Sequence, residues 1–88
     1  MSNNKFIKPS LFLSKDLSIA ASYYVVSKQY CSKSGLQRYF SIDYQKATEI
    51  IEFLIELKFI RVSDIVKFEV IENDISTMKE RLDRYYNI

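Results

Sequence analysis

Residues 34–57 read SGLQRYFSIDYQKATEIIEFLIEL. Leu36 and Phe40 are spaced to share one helical face, and Ser34 is suited to cap a short helix over Gly35–Phe40. The pattern breaks at Ser41-Ile42-Asp43. Asp43 is again a capping residue: its carboxylate accepts from free backbone amides and suits the positive end of a helix dipole. From Tyr44 onward Ala47, Ile50, Ile51 and Leu54 recur at spacings of three and four, with Leu57 at the margin. The spacing predicts a longer helix over Tyr44–Leu57, and the small Ala47 lets the shorter helix approach closely. Two helix patterns joined by a short polar turn form a helix-turn-helix.

On the N-terminal side, Leu17, Ala20, Ala21, Tyr24 and Val25 predict an amphipathic helix capped by Ser14 or Asp16 and running to about Tyr30. Cys31–Gly35 is then a polar connection. Residues 1–13, broken by Pro9, read as an arm that can pack on the body through Phe6, Leu11, Phe12 and Leu13. On the C-terminal side, Phe59–Val62 and Ile65–Val70 are rich in β-branched and aromatic residues and flank Ser63-Asp64, which predicts a hairpin turning there. Asn73 or Asp74 caps a last helix to about Tyr86, with Ile75, Met78, Leu82 and Tyr85 on one face. The expected fold class is mainly α with a small β-hairpin: a winged helix-turn-helix over residues 14–72, preceded by the arm and followed by an extra C-terminal helix over residues 73–88.

Composition narrows the function. At 88 residues the chain is one small domain with a limited core, and 48% apolar content with one Gly and one Pro argues for order. The formal charge of +2 permits nucleic-acid binding without demanding it. The single cysteine, Cys31, has no partner for an internal disulfide, and the absence of His removes Cys–His pairs, Ser–His–Asp triads and the common zinc sites. No Gly-rich phosphate loop is present. Asp16, Asp43, Asp64 and Asp83 read as caps, turns or surface charges. The expectation is therefore no catalysis, cofactor, metal or small-molecule substrate. The apolar run Tyr23–Val26 falls far short of the roughly 20 residues of a membrane span, and no signal-peptide pattern is present, so a cytoplasmic chain without membrane contact is expected.

The stretch Leu36-Gln37-Arg38, Phe40, Ile42, Tyr44, Ala47 and Ile51, led by Ser34, resembles the winged-helix gamma domain at the C-terminus of the FtsK and SpoIIIE DNA translocases. That family writes it roughly as S-x-L-Q-R-x-F-x-I-G-Y-x-x-A. The likeness covers about Lys33–Ile60. It implies a winged helix that reads a short, directional DNA sequence, without the motor. There are departures. The glycine before the tyrosine is Asp43, basic residues flanking the phenylalanine are Tyr39 and Ser41, and the family's Asn-Arg and following Arg are Gln45, Lys46 and Glu49. The family's own recognition sequence therefore does not carry over.

A helix-turn-helix offers the first turns of its second helix to base edges in the major groove. Gln45, Lys46, Glu49 and Glu52 lie away from the apolar face. Gln pairs with adenine, Lys with guanine and Glu with the cytosine amino group, so Gln45, Lys46 and Glu49 are the base-reading candidates. The competing reading is a plain solvated helix face. Lys33, Ser34, Gln37, Arg38, Tyr39 and Tyr44 are candidates for backbone contacts, as are Arg61 and Lys67 on the wing. Arg38 could instead pair with Glu49 or Asp43. Glu49, Glu52 and Glu56 place carboxylates on the recognition helix and predict a modest salt dependence. Phe53 and Ile55 fall outside the main apolar face. Either the N-terminal arm covers such residues, or Phe53, Ile75, Met78, Leu82 and Tyr85 form the seam of a homodimer.

The expected function is a small sequence-specific protein for double-stranded DNA, acting as a transcription regulator or as an accessory factor in replication, segregation or mobile-element biology. The alternative is a winged-helix protein-interaction module without DNA contact.

Overall fold

Ser14 starts the first helix, α1 (Lys15–Lys28), by accepting the Leu17 amide at 3.0 Å. The structure, a computed structural model, describes residues 13–64 and 67–87. The arm assigned to residues 1–13 thus lies outside the described residues except for Leu13, which is buried.

α1 buries Ser18, Ala21, Ser22, Val25 and Val26. This face is rotated by one residue from the expected one: Ala20 is exposed, and Leu17 and Tyr24 sit at the margin. Two serines cause the rotation. Ser18 Oγ donates to the Lys15 carbonyl at 2.8 Å and Ser22 Oγ to the Ser18 carbonyl at 2.9 Å. With their hydroxyls satisfied by the helix itself, both serines pack as small buried residues. The helix also ends before Tyr30, which is exposed.

The second helix, α2 (Lys33–Phe40), is capped by Ser32 rather than Ser34: the Gly35 amide donates to Ser32 Oγ at 3.0 Å. Cys31, buried next to it, fixes the chain just before Ser32, so Ser34 falls inside the helix and is exposed. A Cβ on Gly35 would stand 2.8 Å from that hydroxyl, so the glycine leaves room for the cap. Leu36 is fully buried, whereas Phe40 is half-buried.

The corner is Ser41-Ile42-Asp43, as expected. Ser41 takes a left-handed conformation (φ 55°), its N–H bonding the Gln37 carbonyl, and the Ile42 N–H reaches the same oxygen at 3.2 Å. Asp43 Oδ1 then accepts the Lys46 amide at 2.7 Å and opens α3 (Tyr44–Glu56). α3 buries Ala47, Ile50, Ile51, Phe53 and Leu54 and packs against α1 and α2. It ends in a Schellman closure around Lys58 (φ 64°), with Lys58 N–H on the Ile55 carbonyl and Phe59 N–H on the Leu54 carbonyl, both at 3.0 Å.

A two-stranded antiparallel hairpin follows, β1 (Ile60–Asp64) and β2 (Lys67–Val70), pairing Ile60 with Val70, Arg61 with Glu69 and Val62 with Phe68. Ser63 and Asp64 are strand residues, with a bulge between Val62 and Asp64, and not the turn anticipated there. Ile65, assigned to the second strand, lies outside the described residues. Ile60 is buried, while the rest of β1 is exposed, as befits a wing anchored at one end. Asp74, not Asn73, caps α4 (Ile75–Tyr85), accepting the Thr77 amide at 3.1 Å.

α4 lies against α1 and closes the core through Met78 and Leu82. Ser18 Oγ is hydrogen-bonded to the Tyr86 hydroxyl, joining α1 to the end of α4. Arg81 of α4 donates to the Leu57 carbonyl at 2.8 Å, supplying a partner for the end of α3. Among the described residues the result is four helices and a two-strand wing, the fold class expected from the sequence.

Candidate nucleic-acid interface

The first two turns of α3 hold the three base-reading candidates together. Lys46 Nζ lies 3.2 Å from Glu49 Oε1, three residues on, and Gln45 Nε2 approaches Glu49 Oε2 at 3.4 Å. The Gln45 contact is long and weak. Gln45 is exposed. The Lys46 side chain is 36% exposed and that of Glu49 only 14%, so Glu49 is the least accessible of the three. Ala47, Ile50 and Ile51 turn inward, and Phe53, one turn beyond Glu49, is buried as well, so Lys46 and Glu49 border the packed side of α3 while Gln45 is exposed.

Beside this cluster, the first residues of α2 and α3 are joined. Lys33 Nζ donates to the Tyr44 hydroxyl at 3.0 Å and sits 4.5 Å from the centre of the same ring. The Lys33 hydrogen bond, reinforced by its charge, holds the Tyr44 phenol below its usual pKa. Tyr44 is 62% exposed, as is Tyr39. Tyr39 stacks on Tyr24 of α1 at a ring separation of 4.1 Å, a brace between α1 and α2 that the sequence pattern did not suggest.

The other backbone candidates are spread out. Ser34 and Arg38 are exposed on α2 and Gln37 is half-buried. Arg38 does not take the carboxylates considered for it: Glu49 is paired with Lys46, and Asp43 caps α3. On the wing, Arg61 is held by Glu69 directly across the hairpin, with Nε and Nη2 each 2.9 Å from Oε1, so its charge is locally matched. Lys67 is exposed on the other strand.

The seam residues fall elsewhere. Phe53, Met78 and Leu82 are buried within a single chain, and only Ile75 and part of Tyr85 reach solvent. The Phe53 ring packs edge-on against Tyr85 at 5.3 Å and lies 6.3 Å from Tyr86. Of the apolar residues that suggested a homodimer seam or cover by the arm, Phe53 is covered by the end of the chain's own C-terminal helix, while Ile55 stays exposed.

Burial pushes the Cys31 thiol up to about 12, which keeps it protonated and unreactive. Among the described residues no cluster of His, Cys, Asp and Glu is placed to hold a metal, and no helix is long and apolar enough to cross a membrane.

Comparison with known families matches residues 14–67 to the Ftsk gamma domain, a span from the cap of α1 to the first residue of β2. Neither the curated proteins nor the solved structures give a match.

Proposed function

This chain belongs to the FtsK gamma domain family, a family of DNA-binding winged helices, and on that premise we propose that it recognises a short sequence in double-stranded DNA through the N-terminal turns of α3. The observation that carries the reading is the grouping of Gln45, Lys46 and Glu49 in the first two turns of α3, with Gln45 exposed and Lys46 partly so. Gln45 and Lys46 supply the amide and ammonium donors that base edges in the major groove accept. Lys33, Tyr44, Ser34, Gln37, Arg38 and Tyr39 supply the contacts to phosphate that fix register, and Lys67 extends them to the wing. The role is binding without catalysis, in regulation or as an accessory factor of replication, segregation or a mobile element.

A second reading, a protein-interaction module, draws on the carboxylates of α3 and on the pairing of Arg61 with Glu69, which lowers the wing's pull on phosphate.

One experiment separates them. Duplexes preferred by the protein are selected from a random pool, and a preferred and a scrambled duplex are titrated at two salt concentrations. Gln45→Ala and Lys46→Ala are expected to weaken the preferred duplex more than the scrambled one, and Lys67→Ala to weaken both about equally. Absence of binding at low salt would favour the interaction module.

A further inference from the structure

We propose that Glu49 sets the sequence preference without reading a base: it is a positioning residue that keeps Lys46 from unselective contact with phosphate. The inference rests on the DNA-binding reading above. Its basis is the state of the Glu49 carboxylate. Oε1 is enclosed and has no directed hydrogen bond, and the Lys46 ammonium 3.2 Å away is the charge beside it. Oε2 is approached by Gln45 at 3.4 Å. For Glu49 to accept from a cytosine, it would have to turn an enclosed carboxylate outward and give up both neighbours.

The same geometry penalises a wandering Lys46. If Lys46 swings to a phosphate, Glu49 keeps an enclosed negative oxygen without its counter-charge, close to a polyanion. If a guanine acceptor lies within the reach of Lys46 while the pair stays closed, no such loss occurs. Random DNA therefore gains little from Lys46, and a matching site gains a directed contact. Discrimination comes from the cost imposed on the wrong contact as well as from the right one.

The test uses the whole chain, the duplex it selects from a random pool and a scrambled duplex of equal length, with affinity followed over a range of salt. Glu49→Gln keeps the size of the side chain and removes its charge. It is expected to bind scrambled DNA several-fold more tightly and to lower the preferred-to-scrambled ratio. The plot of log affinity against log salt for scrambled DNA should steepen by about 0.9, the value of one further neutralised phosphate. In a Lys46→Gln background the same change should leave that slope unaltered. Lys46→Gln alone, which leaves Glu49 in place, should weaken the preferred duplex and hardly touch the scrambled one.

Unchanged scrambled affinity and slope in Glu49→Gln would overturn the proposal, as would a loss of preference confined to one base pair, the mark of a direct reader. A wild-type chain that binds neither duplex at low salt would remove the DNA reading itself, and this inference with it. Normal wild-type binding with a silent Glu49→Gln removes only the inference.

Discussion

Lys33 and Tyr44, the first residues of α2 and α3, are tied by a 3.0 Å hydrogen bond and by the ammonium lying over the ring. The pair spans the helix-turn-helix corner from outside, opposite in role to Leu36 and Ala47, which close it from within. On the proposed DNA-binding reading, the pair would offer a cation and a phenol to a DNA backbone.

The first prediction concerns this phenol. Lys33 favours the phenolate, so Tyr44 has a folded-state pKa below its usual 10.0. For a depressed acid, the linked stabilisation is present above the unfolded pKa and is lost as pH falls through the folded value. It therefore acts only in alkaline solution and contributes nothing near neutrality. Ultraviolet titration of tyrosinate should show one early component that disappears in Tyr44→Phe and moves to higher pH in Lys33→Met. An unchanged early component in Lys33→Met would assign it to a different tyrosine.

A second prediction separates two serines of nearly equal sequence appeal. Ser32→Ala removes the acceptor of the Gly35 amide and should cost about 1 kcal/mol in urea unfolding. Ser34→Ala changes an exposed residue inside α2 and should stay within about 0.5 kcal/mol of wild type. The reverse order would place the start of the helix at Ser34.

Ser32 caps α2 and Ser34 does not, although the two side chains are the same. The corner Ser41-Ile42-Asp43, the Asp43 cap and the inner face of α3 follow from spacing and side-chain type, and they emerged directly. The α1 face did not, because buried Ser18 and Ser22 look polar in sequence yet satisfy their hydroxyls on their own helix. The composition of Ser63-Asp64 suggests a turn, whereas a bulge keeps both residues in the strand. At the candidate site, a helix wheel puts Gln45, Lys46 and Glu49 away from the apolar face, and the structure leaves Gln45 exposed but Lys46 and Glu49 only partly so. Their mutual pairing was not readable in the sequence, since it depends on rotamers and on how deeply Glu49 sits. Phe53 looked surplus because a wheel drawn for α3 alone does not know that α4 returns to cover it.

A third prediction uses the helix ends. Ser41 and Lys58 are exposed, have φ of 55° and 64°, and terminate α2 and α3 in the left-handed region without being glycine. A Cβ in that region is strained by roughly 1 kcal/mol, and the only glycine in the chain, Gly35, lies elsewhere. Ser41→Gly and Lys58→Gly should each raise stability, by up to about 1 kcal/mol, and Ser41→Val should lower it. Thermal unfolding of the three variants checks this. A loss on Ser41→Gly would mean that the side chain, not the backbone, governs the corner.

The last prediction decides what Phe53 holds together. Its ring is fully buried against Tyr85 and Tyr86 of the same chain, so it should behave as a core residue. Phe53→Ala should cost about 3–5 kcal/mol, a large share of the roughly 5–15 kcal/mol of a typical domain. Phe53→Leu, which keeps part of the volume, should cost about 1–3 kcal/mol and leave a measurable folded state. If the contact is internal, the urea midpoint of both wild type and Phe53→Leu is independent of protein concentration, because no association is linked to folding. A midpoint that climbs with concentration in the wild type and loses that dependence in Phe53→Leu would instead return Phe53 to a seam between two copies.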